Sequence, residues 1–374
     1  MRAAAVLLAA SLALGGCMGG SAGPKPAEVP ALTEGAQEVR VLWSASIGSG
    51  EHYVFAPAVA ADGVYAASRD GAVARFDPAS GKEQWRVALE RPLSAGVGAG
   101  ARTVVVATEE GEVIALEAAD GKVRWRARVS SEVLAPPAVG AGVVLVRSLD
   151  SRIFAFAEDD GERRWVYQRA PASLMLRTPS GLAIAGDTAY AGFSGGKLTA
   201  IALANGGVRW EATVALPQGA TELERVTDVV GPPALEGREV CVAAYQGRVA
   251  CYEAETGRQL WARELSSSTG VGLDARYAFV SDVRGAVHAL DRSSGQSAWK
   301  QDRLFLRQLS LPAAVGNAVA VGDFEGYVHF LARDSGAFVA RFAAGGGAVK
   351  APLVPLARGV LVQTEGGELF ALAL

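Results

Sequence analysis

From Val39 to Leu374 the chain is one unit written repeatedly. The clearest copy is Gly63 to Trp85: an apolar run (Val64 to Ser68), a turn (Arg69-Asp70-Gly71), a second run (Ala72 to Phe76), then Gly81 and Trp85. The turn glycine returns as Gly71, Gly111, Gly196, Gly247, Gly285, Gly326 and Gly367, with Ser151 in the third unit, at intervals of 40, 40, 45, 51, 38, 41 and 41 residues. A three-residue hairpin loop needs one residue with positive φ, which suits glycine at this place. Two and five residues past the turn every unit is apolar, as in Val73 and Phe76 or Val328 and Leu331. A second glycine precedes a tryptophan by four residues in six units, from Gly81/Trp85 to Gly295/Trp299; the seventh keeps Gly336 but has Ala340. A sheet this small cannot bury its faces alone, so the units must stack on one another. Short strands at such spacing, with one aromatic signature per unit, predict propeller blades of four antiparallel strands.

The ends of the chain decide whether the array closes. The eighth unit, Ala351 to Leu374, stops after its third strand, while Val39 to Ala45 is a tryptophan strand with no blade before it. Trp43 lies 42 residues ahead of Trp85, in phase with the repeat. Seven complete blades and one shared between the termini predict an all-β, eight-bladed propeller over residues 39–374. Closure hides the sheet edges that an open solenoid would leave unpaired.

Residues 1–16 read as a signal segment. Arg2 is followed by an apolar stretch, Ala3 to Leu14, too short for a bilayer span, which needs about 20 residues. It ends in Leu14-Gly15-Gly16-Cys17, which resembles a bacterial lipobox. The resemblance implies cleavage before Cys17 and acylation of its thiol and amine. Met18 follows, where lipoproteins kept at the inner membrane usually carry Asp, so an outer-membrane anchor facing the periplasm is expected. Residues 17–38, rich in Gly, Pro and Ala, read as a lipidated flexible tether.

Little in the sequence suggests catalysis. The formal charge of −3 gives no basic field for nucleic acid. The three histidines, His52, His288 and His329, form no ligand-spaced cluster; the last two occupy one repeat position in neighbouring blades. No metal, cofactor or catalytic residue is expected. Cys241 and Cys251 fall six before and four after their turn glycine, positions that face each other across a three-residue hairpin and elsewhere pair a larger residue with a smaller one. An oxidising compartment favours a disulfide there, with two buried thiols as the alternative.

Two links between blades are long. Arg169 to Pro179 places Leu174-Met175-Leu176-Arg177 between prolines, and Leu216 to Asp228 follows in the next blade. Apolar residues beside an arginine on a loop suggest an interface anchor, against the alternative that the leucines fold back onto the propeller. The repeat resembles that of pyrroloquinoline-quinone propellers, and with the lipobox the chain resembles the BamB family of the outer-membrane β-barrel assembly machinery over Cys17 to Leu374. That resemblance implies a non-enzymatic scaffold that binds the POTRA domains of BamA, with other barrel-assembly subunits and unfolded outer-membrane proteins as further partners. The family's Leu-x-Leu-Arg loop matches Leu174, Leu176 and Arg177, and its neighbouring loop matches Thr221 to Val230, including Asp228. The second acid that often follows two residues later is Val230 here. The alternative is a quinone-binding or redox enzyme, though such enzymes carry adjacent cysteines and this chain has none.

Overall fold

The computed structural model describes residues 23–374 apart from 33, 61–62 and 171; Cys17 and the signal segment lie outside the described residues. Eight four-stranded antiparallel sheets stand around a ring. Blade one shows the plan, with strands Ala58–Ala60, Gly63–Ala67, Ala72–Phe76 and Glu83–Ala88 running in order from inside to outside. The eighth blade takes Val354–Leu356, Gly359–Gln363 and Glu368–Ala373 from the C-terminal end and Arg40–Ser46 from the N-terminal end. Trp43 there pairs with Ala371.

The second strand of a blade is buried on both faces, as in Thr103–Thr108, whereas outer strands such as Glu83–Ala88 are largely exposed. The core therefore lies between blades: Tyr65 and Val73 of blade one pack with Val104, Ile114 and Leu116 of blade two. The hairpin register pairs Tyr65 with Arg75, Leu145 with Ala155, Phe279 with Ala289 and Ala320 with Phe330. In blade five the same position pairs Cys241 with Cys251, and a disulfide joins them with Cα atoms 4.1 Å apart.

The two glycine positions have different physical causes. The turn glycine lies under the link that leaves its own blade: Leu89 N–H donates to Gly71 O, Val129 to Gly111 O, and Val214 to Gly196 O. Positive φ occurs at Gly71, Gly111, Gly196, Gly285, Gly326, Gly367 and also at Ser151. Blade five differs, because Gln246 takes the left-handed conformation one residue early. Gly247 is instead required by space, since a Cβ there would sit 2.7 Å from the Ala215 Cβ.

The second glycine joins blades. Gly81, Gly121, Gly161, Gly206, Gly257, Gly295 and Gly336 have φ between +67° and +75°. A Cβ on any of them would come within 2.5–2.8 Å of the tryptophan ring of the preceding blade. Each of those rings also donates its Nε1–H, at 2.6–3.0 Å, to the carbonyl three residues before the glycine: Trp43 to Pro78, Trp85 to Ala118, Trp125 to Glu158, and onward to Trp299 and Arg333. The repeat motif is thus a lock between neighbours, with the ring from one blade and the socket from the next.

The part of the predicted tether that is described does not behave as free chain. Ala27 N–H donates to Phe305 O at 2.9 Å and Gln37 N–H to Val339 O at 2.8 Å, while Pro30 is buried. A glycine- and proline-rich composition signals weak local structure, but it carries no information about a docking site made by residues about 280 positions away.

Candidate functional site: two linked loops on one face

The links between blades cross the same face as the hairpin turns, because each is hydrogen-bonded to its own blade's turn, as in Leu89 to Gly71, Arg169 to Ser151 and Leu306 to Arg284. Most are short. The two long ones, after blades three and four, rise from this face side by side and touch: Ser173 Oγ donates to Glu222 Oε2 at 3.0 Å.

Asp228 is the support of the first loop. It is buried, and its Oδ2 accepts the Leu176 backbone N–H at 2.6 Å. Its own backbone is held by a bridge to Ser194 and by the Tyr245 N–H donating to its carbonyl. Burial pushes the Asp228 carboxyl above its usual range, against the amides of Leu176 and Gly195 and the charge of Arg147. Burial likewise pulls the Arg147 guanidinium down to about 10, opposed by Asp228. Arg147 lies over the Phe193 ring at 4.9 Å and donates to the Gly192 carbonyl. The cavity that Arg147, Ser180, Ser194 and Asp228 share beneath the loop is about 30 Å³, far below the several hundred that an organic ligand needs. This is a support, and it offers no substrate site.

Arg177 fixes the other side of the loop. Its Nε and Nη2 reach both oxygens of Glu132, at 3.2 and 2.5 Å, and its guanidinium lies 5.9 Å from the Tyr53 ring. Tyr53 in turn donates to Glu132 at 3.4 Å and lies under Arg69, which pairs with Glu109 at 2.8 Å. Half of the Arg177 side chain stays open to solvent. Leu174 is 40% exposed, whereas Leu176 is half-buried. The Leu-x-Leu-Arg segment therefore divides its labour: Leu176 seats the loop, and Leu174 and the open side of Arg177 face outward.

The second loop is held by its own ends. Glu224 Oε2 accepts the amides of Ala220 and Thr221 at 2.8 and 3.0 Å, and Thr221 Oγ1 accepts the Glu224 amide at 3.3 Å. This reciprocal cap keeps a tight turn whose apolar tip, Leu223, is 71% exposed, with Leu216 at 65% nearby. Val226 and Thr227 are buried, and so is Val230, so an acid at 230 would have no path to the surface. The outward apolar set thus includes Leu216 and Leu223 as well as Leu174. Glu132 and Tyr53 complete the site from distant links, and nothing local in the sequence marks them. Among the described residues no group of His, Cys, Asp or Glu is placed to hold a metal.

The family description "Outer membrane protein assembly factor BamB" matches residues 69–301. The chain belongs to the BamB family. A BamB of that description from Bordetella pertussis is 47% identical over 369 residues, covering 98% of this chain and 95% of the relative. The crystal structure of BamB from Moraxella catarrhalis superposes with a TM-score of 0.82 at 27% identity, over 90% of this chain and all of that one. Quinohemoprotein alcohol dehydrogenase from Comamonas testosteroni also superposes, with a TM-score of 0.70 at 13% identity, over 89% of this chain and 76% of that one. At that identity the likeness carries the fold alone.

Proposed function

We propose that this BamB-family chain is an outer-membrane protein assembly factor that works as a lipid-anchored periplasmic scaffold, without catalysis, and that the two linked loops are where it holds the POTRA domains of BamA. The observation that carries the loop assignment is rigidity combined with exposure. The first loop is fixed from below by Asp228 and Glu132 and the second by its own Thr221/Glu224 cap, yet they point Leu174, Leu216 and Leu223 at solvent. Loops already ordered in the free protein lose little entropy on binding, and exposed apolar tips beside an arginine are the usual material of interface anchors. Relatives over nearly the whole chain carry the name of an assembly factor, which supports the scaffold reading. The lipid anchor is supported by Cys17 at the end of the apolar leader.

The test replaces Leu174, Leu176 and Arg177 with alanine and measures co-purification with BamA and thermal unfolding on the same protein. The exposed loop carries little of the blade core, Arg177 is half in solvent, and the mostly buried Glu132 keeps the Tyr53 hydroxyl as a donor, so the unfolding midpoint should move by only a few degrees. Two outward anchors at roughly 1–2 kcal/mol each, with Leu176 no longer seating the loop, would weaken binding by about 10²–10³-fold, enough to lose a moderate complex from a wash. A stable variant that still retains BamA would place the interface elsewhere. Asp228→Asn is a useful companion, because an amide oxygen can still accept the Leu176 N–H and binding should survive, whereas Asp228→Ala should release the loop.

A further inference from the structure

The ring has seven tryptophan locks for eight seams. The missing one is between blades seven and eight, where buried Ala340 stands in the tryptophan position. The cause is topological. A lock needs a glycine turn between the third and fourth strands of the receiving blade, and in blade eight these strands are Glu368–Ala373 and Arg40–Ser46, from opposite ends of the chain. No turn joins them, so there is no socket for a ring.

Residues 27–32 and 34–37 dock on the neighbouring surface of blade seven, on the side that faces blade six, where Phe338 carries both His329 and Arg341. They enter at Phe305, on the link between blades six and seven, pass along the outer strand Phe338–Ala343 of blade seven, and reach Val339 at the opposite face before the chain turns back into blade eight. Blade seven holds a built receptor for them. Arg307, 1% exposed, donates Nη1–H to the Ala27 carbonyl at 2.9 Å, and Arg341 donates to the Pro30 carbonyl. Both guanidinium groups are fixed by one buried relay. Arg307 Nε donates to Asp323 Oδ2 at 2.7 Å, His329 Nε2 lies 2.8 Å from that oxygen, and Arg341 Nε donates to His329 Nδ1 at 3.1 Å. The Arg341 bond requires the His329 tautomer with its proton on Nε2. The corresponding pair in blade six, His288 and Asp282, has the same contact at 2.9 Å, but among the described residues no arginine donates to His288.

We propose that residues 27–32 and 34–37 are a strap filling a peptide site on the blade-six side of blade seven, and that this strap fixes where the N-terminal segment leaves the ring. The exit point at Ala27 is on the loop-bearing face, since the Phe305 link crosses the turn of Gly285. A further consequence rests on the lipid-anchor reading above. From Cys17 to Ala27 the chain can span at most roughly 35 Å, against roughly 80 Å if it were free as far as Arg40. The strap takes up more than half of the slack and holds the loop-bearing face toward the anchor.

The strap can be tested without lipid or partner. The full chain carrying Cys17→Ser is exposed under native conditions to a protease that cuts after glutamate, and cleavage after Glu28 is compared with that of a free peptide of residues 23–38. Docking should slow this cut by roughly tenfold or more, because the strap must open first. Ala27→Pro with Gln37→Pro removes both backbone donors without touching a buried charge, and should restore rapid cutting and lower the unfolding midpoint. If that variant does not fold, Arg341→Gln, which releases the Pro30 carbonyl and the His329 ring but keeps the Arg307 and Phe305 contacts to Ala27, should raise the cutting rate instead. Cleavage of the unaltered chain at the free-peptide rate overturns the strap, whatever becomes of the lipid anchor or of binding to BamA.

Discussion

Blade three contains a matched pair of glycines that measures the tryptophan lock. Gly142 and Gly161 have the same φ, +73°. Around Gly142 a Cβ would meet nothing within 4 Å, whereas at Gly161 it would lie 2.6 Å from the buried Trp125 ring. Changing either to alanine incurs the left-handed backbone cost, about 1–2 kcal/mol, partly offset by about 0.4–1 kcal/mol from the stiffer unfolded chain. Gly142→Ala should therefore destabilise by about 1 kcal/mol. At Gly161 the new methyl is about 1 Å inside normal carbon contact, so the ring must slide out of its socket. That adds about 1–3 kcal/mol of overpacking and about 1 kcal/mol for the stretched Trp125–Glu158 hydrogen bond, 2.9 Å in the native ring. The expected difference between the variants is thus about 2–4 kcal/mol. Urea denaturation of both, read as midpoints at unchanged slope, measures it. Equal midpoints would show that the glycine is there only for its φ, and the lock between blades would have to be abandoned.

Deleting residues 38–47 should remove the outer strand of blade eight together with Trp43, whose burial alone is worth about 3–5 kcal/mol, and lower the melting temperature by roughly 10 °C. An unchanged melting curve would contradict closure through the termini. Thiol counting on denatured, unreduced protein exported to an oxidising compartment should find neither Cys241 nor Cys251 free. Reduction should cost about 2–3 kcal/mol for this short loop, and two titratable thiols in the exported protein would refute the bridge. Stability should also fall with pH from about 6.5 downward, because burial holds His329 below its ordinary value of 6.5 and the unfolded chain takes up the proton first. Burial pushes Asp323 up, but hydrogen bonds from His329 and Arg307 outweigh it and hold it below 3.8, so a second loss follows as pH falls past that value. A urea midpoint that shows no more fall between pH 7 and 5 than that of His329→Gln would contradict the first step.

The long loops show why some of the site was legible and some was not. Leu174, Leu176 and Arg177 stand out because they break the repeat interval, and an insertion in a periodic chain has to leave the blade, whereas Asp228 is singled out only by the family resemblance. Their separate tasks could not be read there. That Leu176 is seated while Leu174 is open depends on a hydrogen bond across 52 residues, and the Arg177 clamp depends on Glu132, 45 residues away in another link. Leu216 and Leu223 were within the second loop, but only the Thr221/Glu224 cap turns Leu223 outward.

By itself the sequence determined the ring: the strand spacing, the glycine–tryptophan phase and the matching partial units at the two ends admit eight blades closed through the termini. These are local and periodic signals, and each blade solves the same packing problem with the same residues. The tertiary structure alone decided what happens where the periodicity fails. Ala340 looks like a lost tryptophan until the open seam of blade eight is seen, and residues 27–37 look like slack until Arg307 and Arg341 are found holding their carbonyls. A docking site assembled from residues hundreds of positions apart leaves no local pattern, because its chemistry exists only after the ring has closed.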